Sequence, residues 1–241
     1  MNKLYIIGMT FGLMAASSGY AMDAGNCNHL FPNNQAPDVP SQVLNAKHVR
    51  PLCFSEFFVL YSVDSRTPVY AVEKLSYLTI NIKTKRTNHF HEEPMLRSSE
   101  RSSPKDYARS GYDKGHNANA RDMHTALGMD ESFSMSNMSP EVPNVNRNIW
   151  AKNVEEATRK YVKRAAGDIY VFTGNYFEPN HKTIGKWNSV WVPSAIYKLV
   201  YDSQTKRSWA YWVPNTADAK MTKPISYEEL VARTGIHFLN R

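Results

Sequence analysis

Cysteine is scarce in this chain of 241 residues, and its scarcity limits the sites that the chain can build. The two cysteines, Cys27 and Cys53, stand too far apart to form a C-x-x-C redox pair. A zinc site is excluded there as well, because no further cysteine is present and His29 and His48 lack the spacing of paired ligands. Internal repeats and low-complexity tracts are also absent, which excludes solenoids and disordered linkers.

The N-terminal apolar run over residues 4–16 is shorter than a membrane-spanning helix requires. It follows Lys3 and precedes small residues at Gly19 and Ala21, a pattern typical of a cleaved signal peptide over residues 1–21. Export to the periplasm or the medium follows, with no membrane attachment after cleavage. An uncleaved membrane anchor is the alternative.

An even cysteine count in an exported chain favours one disulfide between Cys27 and Cys53. Closing that loop would stabilise the fold by roughly 3 kcal/mol. Two free structural thiols are the alternative. We therefore divide the chain into a signal peptide (1–21), an N-terminal segment with the disulfide (22–53) and a single catalytic domain (54–241).

Charge of neither sign dominates, since 29 Lys and Arg stand against 22 Asp and Glu, for a net charge of +7. Removing Lys3 with the signal peptide lowers this from +7 to +6. Such a moderate excess predicts solubility and some attraction to polyanions such as nucleic acids. A hydrophobic content of 42% with 12% aromatics is enough for a substantial core, so disorder is excluded.

Two polar residues in the middle of the chain are candidates for an active site. His116 closes Asp-Lys-Gly-His at residues 113–116, where a neutral imidazole can take a proton from water. Asn146 stands at the start of a predicted helix and offers the hard oxygen that suits a hydrated Mg²⁺. A base and a cation are the minimum needed to hydrolyse a phosphodiester.

Between them lies Ser-Asn-Met-Ser-Pro at residues 136–140, and Asn146 opens Asn-Arg-Asn-Ile-Trp at residues 146–150. In order and spacing, the three blocks closely resemble the D-[RK]-G-H, S-N-[MI]-[ST]-P and N-[RQ]-x-x-W motifs of the DNA/RNA non-specific endonuclease family. The resemblance covers roughly residues 50–239 and points to periplasmic or secreted bacterial members. It implies an α+β fold with a ββα-metal nuclease core on a mainly antiparallel sheet flanked by helices.

The resemblance also implies roles for further residues. Asn137 becomes an active-site asparagine, or else a residue that satisfies backbone groups at a strand end. Arg86 becomes the arginine that steadies the phosphate, or else part of a charged, solubilising loop. Four residues are assigned to substrate binding: Asp113, Lys114, Arg147 and Arg159. Glu141 departs from the family pattern, in which glutamine is frequent, and changes the charge near the metal.

A second departure concerns the glutamate that orients metal-bound water. The family places it four residues after the tryptophan, but here that position is Val154, and the acid follows as Glu155. One residue of displacement rotates a side chain by about 100° on an α-helix, which would turn Glu155 away. We therefore predict a π-bulge between Ile149 and Glu155, or else a site that works without this acid.

Periodicity predicts a hairpin of two strands over residues 57–62 and 68–75. It also predicts the second strand of the ββα unit over residues 133–138. Further strands are predicted over residues 77–82, 169–174, 190–202 and 207–213. A helix is predicted from residue 144 or 146 to about 166, and a capped helix from Ser226 to Gly235. His89 and His91 alternate as on one face of an extended segment, but without a third ligand nearby they are not assigned a metal.

The sequence thus predicts an exported endonuclease that hydrolyses DNA and RNA with little sequence preference and leaves 5′ phosphates. His116, Asn137, Glu155 and Arg86 form the catalytic set. Asn146 holds Mg²⁺, with Mn²⁺ or another divalent cation as alternatives. A catalytically weakened nucleic-acid-binding protein on the same fold is the alternative function. A homodimer is as compatible with the sequence as a monomer.

Overall fold

The computed structural model describes residues 20–21, 24–46 and 48–239. The predicted signal peptide lies outside the described residues except for Tyr20–Ala21, which pair with Asp38–Val39. No helix in the described part of the chain combines the length and the apolar character needed to cross a membrane.

The secondary structure consists of twelve strands and five α-helices over the described residues, with short 3₁₀ turns and one π-helix between them. The strands are β1 (Tyr20–Ala21), β2 (Asp38–Val39), β3 (Val49–Cys53), β4 (Phe57–Ser62), β5 (Thr67–Leu75), β6 (Asp113–His116), β7 (Met138–Glu141), β8 (Ile169–Tyr176), β9 (Thr183–Ile184), β10 (Val190–Trp191), β11 (Ala195–Asp202) and β12 (Ser208–Pro214). The helices are α1 (Ser41–Ala46), α2 (Tyr77–Ile80), α3 (Ala126–Glu131), α4 (Glu156–Val162) and α5 (Tyr227–Thr234), and the π-helix is Val145–Glu155, directly before α4.

A six-stranded antiparallel sheet in the order β12-β11-β8-β5-β4-β3 forms the centre of the molecule. β4 and β5 pair antiparallel, which confirms the predicted hairpin. Alternate residues of β4 enter opposite cores: Phe58 and Leu60 join one cluster, and Phe57 and Val59 join the other. Because both faces of the sheet are covered, β4 is buried along its whole length.

The ββα unit stands beside this sheet. β6 pairs antiparallel with β7, so that Asp113 faces Glu141 and His116 faces Met138 across the ladder. The π-helix and α4 follow β7 after a short connection and supply the helical part of the unit. The expected α+β fold with a ββα unit beside a mainly antiparallel sheet is confirmed.

Two predicted strands are wrong because local hydrogen bonds favour turns. Residues 77–82 do not extend the sheet: Ser76 and Thr79 exchange capping bonds of 3.3 and 3.1 Å that start α2. The second ββα strand begins at Met138 rather than at Phe133, because Met135–Asn137 form a 3₁₀ turn capped by the Ser134 hydroxyl.

Two other predicted boundaries shift. The strand predicted over residues 190–202 is interrupted between β10 and β11, where Pro193 lacks the N–H that a sheet ladder needs. The long helix ends at Val162 instead of near residue 166, because Lys163 and Arg164 turn back on the last carbonyls, with Arg164 N donating to Tyr161 O at 2.9 Å.

The N-terminal segment packs into the main core, and its predicted disulfide is confirmed. Cys27 and Cys53 are bonded across a sequence separation of 26 residues. Cys27 is buried beside Phe31 and Val39, while Cys53 ends β3 at the sheet edge. The crosslink therefore ties the N-terminal 3₁₀ turns to the sheet.

Replacing both cysteines with alanine should lower the free energy of unfolding by about 3 kcal/mol, because the unfolded chain regains the entropy of an open loop. Urea unfolding of the double variant, beside wild type with and without reductant, measures the difference. Equal unfolding midpoints with the same slope would show that the N-terminal segment does not depend on the crosslink.

Candidate active site

His116 ends β6 in an aromatic pocket. Its ring packs edge-on against Phe133, with ring centroids 4.9 Å apart, and lies 5.8 Å from Phe90. Nε2 is buried and has no hydrogen-bond partner among the described residues. Burial, with a smaller effect of the nearby Arg86 charge, lowers the pKa of His116 to about 3. The imidazole is therefore neutral at physiological pH and has a free lone pair.

Asn146 is held by the other end of the same strand. Asp113 accepts hydrogen bonds from Asn146 Nδ2 at 3.0 Å and from Arg147 Nε and Nη2 at 2.7 and 2.5 Å. Burial acts against ionisation of Asp113, but the bonds from Arg147 and Asn146 prevail and hold its pKa below the ordinary value. Asp113 is therefore an ionised residue that orients its two neighbours.

The orientation of Asn146 suits a cation. A carboxylate only accepts hydrogen bonds, so the amide nitrogen must face Asp113 and Oδ1 must point elsewhere. No hydrogen bond to that oxygen is formed within the part of the chain that is described, and Asn146 is only partly buried. One neutral oxygen ligand, with waters for the remaining positions, fits Mg²⁺.

β6 links the base to the residue that holds the metal ligand. Asp113, which holds Asn146, and His116 are the two ends of this four-residue strand, so they lie about 10 Å apart along it. Lys114 shares the His116 face, because its ammonium lies 4.7 Å from the Phe90 ring centroid. Gly115 pairs with Ser139 and lies diagonally across the ladder from Glu141, and a Cβ there would lie 2.1 Å from the Glu141 carboxyl group. Glycine before the histidine therefore leaves room for this carboxyl group.

The predicted π-bulge is confirmed, and it is longer than predicted. All of Val145–Glu155 is π-helical, and the α-helical form resumes at Glu156. Burial is the main effect that raises the pKa of Glu155, with Lys198 opposing it and a hydrogen bond to the Asn119 side chain helping to lower it. The Glu155 charge also acts on Arg86 and on Glu141. Glu155 thus lies within electrostatic range of Arg86 and of Glu141 in β7.

Replacing Glu155 with alanine should lower the rate of the predicted phosphodiester cleavage by roughly 10- to 100-fold, because the group predicted to orient metal-bound water is lost. Glu156→Ala is the matched control, since Glu156 is exposed at the start of α4 and, among the described residues, pairs only with Lys160, at 2.9 Å. Steady-state cleavage of a short duplex measures both variants. If the two variants cleave at equal rates, Glu155 has no part in the reaction.

Of the two roles predicted for Asn137, its contacts match the one in which it satisfies backbone groups. Its Nδ2 donates to the carbonyls of Ala118 and Ser132 at 2.8 and 2.9 Å, and its Oδ1 accepts from Ala118 N at 2.8 Å. The side chain is fully buried. Because these backbone groups occupy the amide, Asn137 fixes the loop that follows His116 and has no group left to contact a substrate.

The four residues assigned to substrate binding are used differently. Asp113 is occupied by Asn146 and Arg147, and the Arg147 side chain is 67% exposed beyond this ion pair. Lys114 lies against Phe90. Arg159 pairs with Asp122 at 3.3 Å and keeps Nη2 buried without a partner among the described residues. Arg159 therefore keeps an unpaired hydrogen-bond donor, whereas both carboxylate oxygens of Asp113 already accept hydrogen bonds.

A cavity of about 640 Å³ opens next to these groups, and the sequence did not reveal its shape. Its lining includes Lys83, Arg86, Arg121, Arg159 and Lys163, and no acidic side chain. Arg86 also stacks over the Phe133 ring at 4.8 Å, the ring that His116 contacts. Arg86 thus joins the positive cavity to the aromatic ring that His116 contacts. Its basic residues come from separate segments, so no local pattern could have grouped them.

Comparison with known proteins agrees with this geometry. The family model described as DNA/RNA non-specific endonuclease matches residues 37–241. Nuclease C1 of Cunninghamella echinulata var. echinulata is 38% identical over 53% of this chain and 55% of its own length. Bovine mitochondrial Endonuclease G is 30% identical over 61% of this chain and 52% of its own length. The mitochondrial nuclease of Saccharomyces cerevisiae is 28% identical over 77% and 64%.

A chain of the solved EndoG/EndoGI complex superposes with a TM-score of 0.69 at 25% identity, covering 82% of this chain and 91% of that chain. The matches to the three nucleases span only about half to two thirds of their lengths. The family model, in contrast, includes the whole ββα unit with His116, Asn146 and Glu155. The chain belongs to the DNA/RNA non-specific endonuclease family.

Proposed function

We propose that this protein is an exported, metal-dependent endonuclease that hydrolyses DNA and RNA without strong sequence preference. One observation carries the proposal: a neutral histidine with a free, buried Nε2 and an asparagine with a free oxygen are held by the two ends of β6. A proton acceptor and a metal ligand are the two parts that phosphodiester hydrolysis requires.

In the proposed reaction, His116 Nε2 takes a proton from water. The water oxygen then attacks phosphorus in line, and the bond between phosphorus and the 3′ oxygen breaks. The 3′ oxygen gains a proton from solvent, and the phosphate stays on the 5′ side. Mg²⁺ at Asn146 would neutralise charge on the phosphate and on the leaving oxygen. Asp113 keeps Asn146 Oδ1 available, and Glu155 orients water beside it.

Binding of the polyanion is assigned to the basic cavity. Arg86, Arg121 and Arg159 line it, and lysines extend it towards solvent. Contacts of this kind neutralise phosphates without reading bases, so they predict affinity that falls with salt and depends little on sequence. Arg86 lies on the Phe133 ring next to His116, the position from which a guanidinium can reach the phosphate under attack.

Both nucleic acids are expected substrates, because no step in this scheme uses a ribose 2′-hydroxyl group. Export is supported by the signal-peptide pattern and by the Cys27–Cys53 disulfide, a crosslink that persists in oxidising compartments. We accordingly place the protein in the periplasm or outside the cell.

The test is a nicking assay on supercoiled plasmid and a parallel assay on single-stranded RNA, each with Mg²⁺ or with EDTA. The expected result is cleavage of both substrates with Mg²⁺ and none with EDTA, with 5′ phosphates that accept ligation or are removed by phosphatase. Binding of plasmid without cleavage under any divalent cation would contradict the proposal.

That outcome would support the alternative, a nucleic-acid-binding protein that has lost catalysis. The one-residue displacement of Glu155 from the family position is the main argument for this alternative. The π-helix weakens this argument, because Glu155 acts on Arg86 and Glu141 despite the displacement.

A further inference from the structure

A second group of metal-ligating side chains lies outside the candidate active site. His89, His91 and Asp130 each place one ligand atom within 4.8 Å of the others. The two histidines belong to the irregular segment after α2, whereas Asp130 lies in α3, about forty positions later. The alternation of the histidines was visible in the sequence, but the third ligand arrives only through folding.

The ligand chemistry of this group differs from that of Asn146. His91 Nδ1 lies 2.9 Å from the His89 carbonyl, so it carries the proton and leaves the Nε2 lone pair free. His89 Nδ1 and Asp130 Oδ1 are 3.2 Å apart, close to the roughly 3.3 Å between neighbouring ligands of tetrahedral zinc. Two imidazoles and one carboxylate suit Zn²⁺, whereas Mg²⁺ prefers oxygen ligands alone.

The group lies where a bound metal would join two segments of the chain. The backbone of His91 is bonded on both sides to the segment after α3: His91 N donates to Phe133 O at 3.3 Å, and Met135 N donates to His91 O at 2.8 Å. Phe90, between the two histidines, packs edge-on against Phe133 at 4.9 Å, and both rings contact His116. A metal here would tie the segment that carries this aromatic wall to α3.

We propose that His89, His91 and Asp130 form a surface site for Zn²⁺ or a similar divalent transition metal, separate from the Asn146 site. Water would fill the remaining coordination position, since the His89 and Asp130 side chains are 69% and 50% exposed. Closing the group around an ion requires only rotation of exposed side chains, because the backbone already brings the three ligands together. The ion would bind the folded chain in preference to the unfolded one, in which the ligands are far apart.

The test is calorimetric titration of chelator-treated protein with Zn²⁺ in excess Mg²⁺, on a chain that carries Asn146→Ala so that the other site cannot contribute. One Zn²⁺ per chain is expected. His89→Ala, His91→Ala and Asp130→Asn should each weaken binding more than about 10-fold, since losing a direct ligand costs at least as much as losing its neighbour. Zn²⁺ should also raise the melting temperature of the parent but not of these three variants.

His48→Asn is the matched control. His48 pairs with Asp64 at 2.8 Å, and its side chain is 70% exposed, so it reproduces the His89–Asp130 pair without a second imidazole. Asparagine also tolerates the positive φ of 36° at this position. This control should bind Zn²⁺ like the parent. Absence of a Zn²⁺ stoichiometry in the parent, or equal Zn²⁺ affinity in His91→Ala and His48→Asn, would overturn the proposal and leave an ordinary surface ion pair.

Discussion

Replacing His116 with alanine is expected to lower the rate of DNA cleavage by roughly 10²- to 10⁴-fold, the usual contribution of a general base. His116 is neutral at physiological pH and has a free Nε2, as proton removal from water requires. Single-turnover cleavage of a labelled duplex with saturating Mg²⁺ measures the chemical step. Fluorescence anisotropy with the same duplex should show nearly unchanged binding, because the cationic side chains of the cavity remain.

The matched control is His181→Ala. His181 is a partly exposed histidine whose ring stacks on Trp191 with ring centroids 3.8 Å apart, and its loss should leave the cleavage rate unchanged. Melting curves of both variants show whether the pocket of Phe90 and Phe133 tolerates the smaller side chain. A folded His116→Ala protein that cleaves at a rate near that of wild type would remove the histidine from the mechanism.

Asn146→Ala is expected to have the second largest effect, a loss of at least about 10²-fold at moderate Mg²⁺ concentration. The estimate follows from the 10- to 100-fold cost of losing even an indirect metal contact. Part of the activity should return as Mg²⁺ is raised, since the defect lies in holding the ion. Cleavage rate as a function of Mg²⁺ concentration measures the shift.

Asn148→Ala separates this effect from general damage to the helix. Asn148 lies two residues further along the π-helix, is exposed, and bonds only to Asn144 and Lys152 among the described residues. Its loss should leave the Mg²⁺ dependence unchanged. If Asn146→Ala follows the wild-type Mg²⁺ curve, the ion is held elsewhere.

Local patterns in the sequence predicted the features that depend on neighbouring residues. The β4–β5 hairpin followed from alternating apolar residues, and the disulfide followed from an even cysteine count. The π-helix followed from a conflict between two short spacings: Asn146 to Trp150 matched the family, but Trp150 to Glu155 was one residue too long. Such a conflict has few structural solutions, so the sequence could reduce them to two: a π-bulge, or a site that works without this acid.

Local sequence patterns could not predict contacts between residues that are distant along the chain. Asp130 completes the group with His89 and His91 only because α3 packs beside the segment after α2. Glu141 fits against Gly115 only through the β6–β7 register. The error at residues 77–82 has a different cause, because the apolar pattern of a strand outweighed the capping residues Ser76 and Thr79 that start α2.

Asn137 shows that a residue in a matched motif can bond the backbone around the site, which is one of the two roles predicted for it. The motif match placed it in the active site, and the fold does place it next to the turn that follows His116. Its amide nevertheless bonds backbone groups on both sides. The cost of leaving buried backbone groups unpaired explains why an asparagine is needed there.

The position of a bound Mn²⁺ ion, located by anomalous scattering in crystals soaked at high Mn²⁺ concentration, tests the central claim most directly. A peak at about 2.0–2.2 Å from Asn146 Oδ1, on the side from which His116 Nε2 can reach a bound phosphate, is the predicted result. A peak that leaves Asn146 without contact while other sites are filled would contradict the account, because no metal centre would then join the two ends of β6.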